Sequence, residues 1–265
     1  MLSFQCRDAD DSESINELLC ILPLENNLTM YMKRTFFLLF VCAILLVGCT
    51  RDFGLPTAKS YPINGPYTGL DVSSAFQVTV SDQVTDVVVT VGELAHDRVI
   101  VKVTNGELQI GFKPNTRYNG KAKAVIPANA NLSDLDLSGA SSFVGELNGH
   151  DVDIDLSGAS TFRGNVDAEK INLDISGASN AFINGHCQNK MEIDLSGAST
   201  LKAANLNAQS VSGQMSGASD ADVTVCSSLN VELSGASTLT YRTVSDECHP
   251  VVNCPTSGSS TVRPR

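Results

Sequence analysis

Between residues 126 and 245 apolar and polar positions alternate, and the alternation restarts every 18 to 20 residues. Apolar residues stand three places and one place before a Ser-Gly-Ala-Ser tetrapeptide: Leu135 and Leu137, Ile154 and Leu156, Leu173 and Ile175, Ile193 and Leu195, Val231 and Leu233. In the fifth copy Gly213 replaces the first of the pair and Met215 keeps the second. Between them sits Asp136, Asp155, Asp174, Asp194, Gln214 or Glu232. A period of two with a carboxylate at alternate positions predicts half-buried strands that turn their acidic side chains outward. The tetrapeptides begin at Ser138, Ser157, Ser176, Ser196, Ser216 and Ser234, spaced 19, 19, 20, 20 and 18 residues apart. A fixed period near that length marks one unit stacked on copies of itself.

A helix is excluded, because a Gly and two Ser in every tetrapeptide would accumulate poor propensity, at roughly 1 kcal/mol per Gly. The predicted fold is all-β: a right-handed parallel β-helix of about 19–20 residues per turn, with an N-terminal β cap. Equivalent residues then stack about 4.8 Å apart, so each column keeps one residue type. A second apolar column lies five places after the first Ser: Phe143, Phe162, Ala181, Leu201, Ala221 and Leu239. The Gly permits a bend that a Cβ would obstruct, and the Ser hydroxyls are expected to bond the backbone of neighbouring rungs.

Upstream, residues 67–125 carry β patterns without the tetrapeptide (FQVTV, DVVVTV, RVIVKV, ELQIGF), with Asn105-Gly106 as a hairpin signal. This section is expected to supply atypical first coils that cover an open sheet end. Residues 49–66, with Pro56, Pro62, Gly65 and Pro66, read as a tether. Residues 246–265 read as a disulfide-pinned cap followed by a mobile tail.

Residues 32–48 begin with the basic pair Lys33 and Arg34 and continue into the apolar run Phe36 to Val47. That run is too short for a membrane span and suits a signal peptide. Its ending, Leu-Val-Gly-Cys, resembles a bacterial lipobox, which implies cleavage before Cys49 and lipidation of its thiol. Residues 1–31 carry six acidic side chains and one basic, the wrong balance for a leader, so the start is placed at Met30 or Met32. The mature chain from Cys49 has 15 basic and 23 acidic residues, a net charge of −8. Without a basic stripe, nucleic acid and anionic lipid surfaces are poor expected partners. Thr50 after Cys49 favours outer-membrane sorting, on the surface or the periplasmic side.

Of the eight cysteines, Cys6, Cys20 and Cys42 leave with the precursor. Cys248 and Cys254 flank a short loop containing Pro250 and are expected to form a disulfide in an oxidising compartment. Cys187 and Cys226 are 39 residues apart, about two rungs, which exceeds the roughly 7 Å limit for a bridge. Both are therefore read as small apolar residues.

The acidic column of Asp136, Asp155, Asp174, Asp194 and Glu232 is the one candidate metal surface. Oxygen-only ligands in a grid suit Ca²⁺ better than a transition metal, whereas a solvated face kept acidic for solubility needs no ion. Catalysis finds no support. The acids are spread by the repeat, Arg163, Lys170, Lys190 and Lys202 share no column, and His150 and His186 read as turn residues near Gly149 and Gly185. No phosphate loop, nucleophile elbow or zinc-ligand cluster is present in the sequence.

The stretch YTGLDVSSAFQVTVSDQVTDVVVTVG, then NGELQIGF, then AKAVIPANANLSDLDLSGAS with its repeats, resembles the head GIN domain family, auto-transporter adhesin head domains found in lipoproteins of Bacteroides-like bacteria. The resemblance covers most of residues 67–245. It implies a β-helical envelope protein and brings no catalytic residues or cofactor. The expected function is a non-catalytic binding or adhesin-like module, held to the membrane through Cys49 and facing a glycan or a host or matrix protein. The alternatives are a periplasmic structural lipoprotein and a carbohydrate-active β-helix enzyme.

Overall fold

The computed structural model describes residues 53–265. They form a β-solenoid of about seven turns. The expected leader, residues 1–31 and Cys49, the expected lipidation site, lie outside the described residues.

The body consists of five long strands: β9 (Ser142–Leu156), β10 (Thr161–Ile175), β11 (Asn180–Leu195), β12 (Thr200–Met215) and β13 (Asp220–Leu233). Each makes one circuit and pairs in parallel with the next, so that Phe162 stacks on Phe143, Leu173 on Ile154 and Ile175 on Leu156. Their inward side chains are buried in a single continuous core. The rings of Phe143 and Phe162 lie 5.9 Å apart and nearly parallel.

The tetrapeptides form the corners between circuits. Gly158, Gly177, Gly197, Gly217 and Gly235 have φ between 71° and 75°, a left-handed conformation that favours glycine. A Cβ on any of them would lie 2.4–2.5 Å from the carbonyl oxygen of the glycine one rung below. The following residue closes the corner by donating its N–H to that same carbonyl, as Ala178 does to Gly158 at 2.7 Å. The second Ser of each corner is buried. In the Ser160 and Ser237 corners its hydroxyl donates to the carbonyl of the first Ser, at 2.7 and 2.8 Å. Bonds to the neighbouring rung are made as expected by both serines: the Ser160 N–H donates to the Ser179 hydroxyl at 3.2 Å and Ser219 donates to Ser237 at 3.1 Å, while the first serines Ser176 and Ser234 reach the carbonyls of Leu156 and Met215 at a long 3.4 Å.

Two partial rungs precede the body. β2 (Gly69–Val72) lies between β6 (Glu107–Phe112) and β8 (Asp134–Leu137), with Leu70, Asp71 and Val72 in register with Leu135, Asp136 and Leu137. Ser73-Ser74-Ala75 therefore occupies a corner, and Ser74, with φ 62°, stands where later rungs have Gly. β3 (Phe76–Ser81) pairs with β9 and with β7 (Ala122–Pro127). The end is closed by antiparallel pairing. β4 (Val87–Gly92) joins β7, β1 (Pro56–Tyr61) joins β4, and β5 (Val99–Thr104) forms a hairpin with β6 through Asn105-Gly106. Both hairpin-turn residues have positive φ, as a type I′ turn requires. Residues 56–61 are thus a paired edge strand and not part of a tether.

Three further readings are corrected at the C-terminus. β14 (Thr238–Thr243) stacks on β13, β15 (Val251–Val252) pairs with β13, and β16 (Thr261–Pro264) pairs with β14. Ser257-Gly258-Ser259-Ser260 forms one more corner, with Gly258 at φ 70° above Gly235. Residues 251–264 are therefore a last rung and not a mobile tail. Cys248 is bonded to Cys226, with Cα atoms 4.7 Å apart, and not to Cys254. These two cysteines are 22 residues apart, about one rung, and stacking brings such residues to the separation a disulfide needs. Cys226 is thus a bridge residue, while Cys187 is a buried free thiol and Cys254 a half-buried one.

Candidate functional site

The register sets the outward acids of one wall in two straight columns. One runs Asp71, Asp136, Asp155, Asp174, Asp194, Gln214 and Glu232. The other runs Glu107, Gly69, Asp134, Asp153, Asn172, Glu192, Ser212 and Asn230. A flat parallel sheet turns alternate side chains outward, so both columns stand on the same surface with the core column Leu135–Ile154–Leu173–Ile193 beneath. A shallow groove of about 220 Å³ runs between the columns at Asp153, Asp155, Asn172, Asp174, Glu192 and Asp194.

Neighbouring carboxylates at rung spacing repel one another by about 1 kcal/mol in water and by more where water is partly excluded. Burial pushes the Asp71 carboxyl up to about 6, with Asp136 and Glu107 adding to the effect. Asp134, Asp136 and Asp155 are also raised, chiefly by burial and then by their acidic neighbours. The strain is relieved locally where a neutral or basic group intervenes. Asn172 donates to Asp153 at 2.7 Å, and the Lys190 ammonium sits 2.7 Å from Glu192.

Among the described residues no group of three or more His, Cys, Asp or Glu side chains is placed to hold a metal ion. Asp136, Asp155, Asp174, Asp194 and Glu232 form a ladder and not a cage, because straight stacking keeps their carboxylates side by side. Such a ladder suits extended cationic or hydrogen-bonding partners.

A second groove, of about 400 Å³, opens beside the disulfide and is lined by Asp167, His186, Gln188, Asn207, Gln209 and Val244 among others. It lies where the repeat length changes. The pairing register slips between Cys187 and Lys190 and between Ala208 and Ser210, and the bulged residues turn amide side chains outward. His150 lies in β9, and its ring nitrogens are each 2.9 Å from a carboxylate, of Asp151 and of Glu169. His186 stands in β11, remote in register from His150, so the two histidines do not form a pair. Arg163 lies over the Phe182 ring at 3.7 Å, and Lys202 pairs with Asp220.

A family model described as "Putative auto-transporter adhesin, head GIN domain" matches residues 66–243. This chain belongs to that family. The match spans both the cap and the repeat, which accounts for the atypical first rungs being part of one domain. Among solved structures, a "putative adhesin" from Bacteroides fragilis is similar at TM-score 0.70 and 17% identity, over 80% of this chain and 97% of that one. A "putative adhesin" from Parabacteroides distasonis is similar at TM-score 0.59 and 21% identity, over 80% and 98%. A "putative lipid binding protein" from the same species is similar at TM-score 0.59 and 18% identity, over 80% and 97%. At such identities the shared feature is the fold. No curated protein matches the chain. Among the described residues no helix is long and apolar enough to cross a membrane.

Proposed function

We propose that this adhesin-type head domain is a lipid-anchored envelope protein that binds an extended partner along its acidic wall without chemical turnover. The observation that supports this reading most is the wall itself: parallel columns of Asp, Glu and Asn on a flat sheet. Such a surface offers repeated contacts at about 4.8 Å intervals. Its sign selects the partner. Sulfated or sialylated glycans would be repelled and a basic segment of a host or matrix protein attracted, whereas a neutral glycan would be held by hydrogen bonds to the Asp, Glu and Asn side chains. The placement of the domain in the outer membrane through Cys49 rests on the leader and its lipobox.

Neither catalysis nor a cofactor enters this proposal. Ca²⁺ on the wall would meet the carboxylates of stacked rungs rather than a six- to eight-oxygen shell, so saturating Ca²⁺ is expected to leave the melting temperature unchanged. An array of neutral glycans and matrix proteins, probed with the mature chain, tests the binding reading. Retention that disappears in Asp155→Asn/Asp174→Asn/Asp194→Asn supports it, and on a basic protein segment retention should also fall with added salt. Retention indifferent to the substitutions, or no retention on any spot, contradicts it.

A further inference from the structure

The charge of the domain is unevenly spread: residues 53–125 carry seven basic and six acidic side chains, with most of the basic ones clustered after residue 97. Residues 126–245 carry 14 acidic side chains against five basic ones. Residues 98–123 carry Arg98, Lys102, Lys113, Arg117, Lys121 and Lys123 against Glu107 alone. These basic residues belong to the closed N-terminal end, and all six are exposed.

The chain comes into the domain at this same end. The carbonyl of Phe53 accepts from the Leu94 N–H at 3.0 Å, and its ring packs edge-on against Tyr118 at 5.1 Å. Tyr118 in turn accepts from the Gly92 N–H at 2.8 Å. A Cβ on Gly92 would lie 2.6 Å from the Phe53 carbonyl oxygen, so the seat is built for close approach. Around it stand two of the most exposed large apolar side chains, Leu55 (81% exposed) and Leu94 (66%). Arg117 precedes Tyr118 directly in sequence. Lys113 bonds back to the Glu93–Arg98 turn, its ammonium donating to the Asp97 carbonyl at 2.8 Å. Glu93 and Asp97 are the acidic side chains of that turn.

We infer that this N-terminal end is a membrane-contact surface that rests on anionic phospholipid headgroups, with Arg117, Lys121 and Lys113 over the phosphates and Leu55 and Leu94 in the interfacial layer. The inference rests on the lipid-anchor reading for its geometry. Four peptide units separate Cys49 from Phe53, a reach of at most about 14 Å. A lipid on Cys49 would therefore hold this end at the bilayer, with no long tether to let it leave. A diacylated Cys49 would hold the chain to the bilayer by itself, and a basic patch beside it would fix how the domain is oriented on that surface. Each basic side chain near an anionic surface strengthens binding by about 1 kcal/mol, or about fivefold. The acidic body is repelled by the same surface, so the solenoid stands end-on and its wall faces away from the lipid.

The test uses the mature chain from residue 49 with Cys49→Ser, which cannot be lipidated. Residues 51–265 form one compact unit with its own hydrophobic core, so the mature chain is expected to fold by itself. Co-sedimentation is measured with vesicles of phosphatidylcholine alone and of phosphatidylcholine with one part in three phosphatidylglycerol. The expected result is binding to the anionic vesicles only. Arg117→Gln/Lys121→Gln should weaken it about 25-fold at unchanged melting temperature, fivefold per side chain. Equal binding to both vesicles, binding to neither, or indifference to the substitutions overturns the inference. So does vesicle-independent self-association that the same substitutions abolish, which would make the acidic body of a second copy the partner. Lipidation is read separately, from the mass of the N-terminal peptide of the native protein, so failure of the anchor and failure of the surface are distinguishable.

Discussion

Gly177 carries two independent constraints, a left-handed backbone and a neighbouring carbonyl where a Cβ would go. Gly177→Ala is therefore expected to destabilise the domain by about 2–4 kcal/mol, read as a lower thermal midpoint. Gly106→Ala, with similar φ and open space around it, should cost only about 1 kcal/mol. Equal losses at the two sites would mean that the stacked carbonyl is irrelevant. The pH behaviour is also set at this scale. Asp71 has its folded-state carboxyl raised to about 6 from 3.8, so the folded state takes up its proton before the unfolded state does. Stability is then fully gained below about 4 and lost as pH rises through 6. Asp134, Asp136 and Asp155 shift in the same direction. Thermal midpoints should rise on acidification from pH 7 to pH 4, and Asp71→Asn should flatten part of that rise. A midpoint that falls over this range would contradict the account.

At the scale of the element, the six Ser-Gly-Ala-Ser corners were legible because stacking forces like residues into columns, and the columns survive in the sequence as a period. The first and last rungs were not. Ser73-Ser74-Ala75 and Ser257-Gly258-Ser259-Ser260 make the same corner with different letters: Ser74 takes the left-handed φ that glycine has elsewhere, and the last corner keeps Gly258 but replaces Ala with Ser259. Pro56 and Pro62 suggested a tether, yet edge strand β1 needs hydrogen bonds on one side only and accommodates Pro. Sequence proximity favours Cys248–Cys254, but Cys226 and Cys248 are one rung apart, and rung spacing decides which thiols meet. Closing a 22-residue loop contributes about 3 kcal/mol on the chain-entropy model. Cys226→Ser should lower the thermal midpoint by several degrees, while Cys254→Ser should leave it within a degree or two. The reverse ranking would restore the Cys248–Cys254 pairing.

Across the whole molecule, the acidic wall could be read from the sequence because it repeats, whereas the basic N-terminal end could not. Arg98, Lys113, Arg117 and Lys121 have irregular spacing, and it is the fold that brings Lys113 onto the Glu93–Arg98 turn and Tyr118, next to Arg117 in sequence, onto Phe53. Averaged over the mature chain their charge disappears into a net −8. Within residues 53–265 the solenoid has an acidic body and an N-terminal end that carries a basic cluster and exposed leucines. An anchor at that end would display the wall outward. The central claim is that this display occurs outside the cell. It is tested most directly by protease treatment of intact cells that carry an epitope tag after Arg265, with a periplasmic protein as control. The account predicts loss of the tag while the control survives. A tag that persists until the outer membrane is broken would contradict it and make the protein a periplasmic structural lipoprotein.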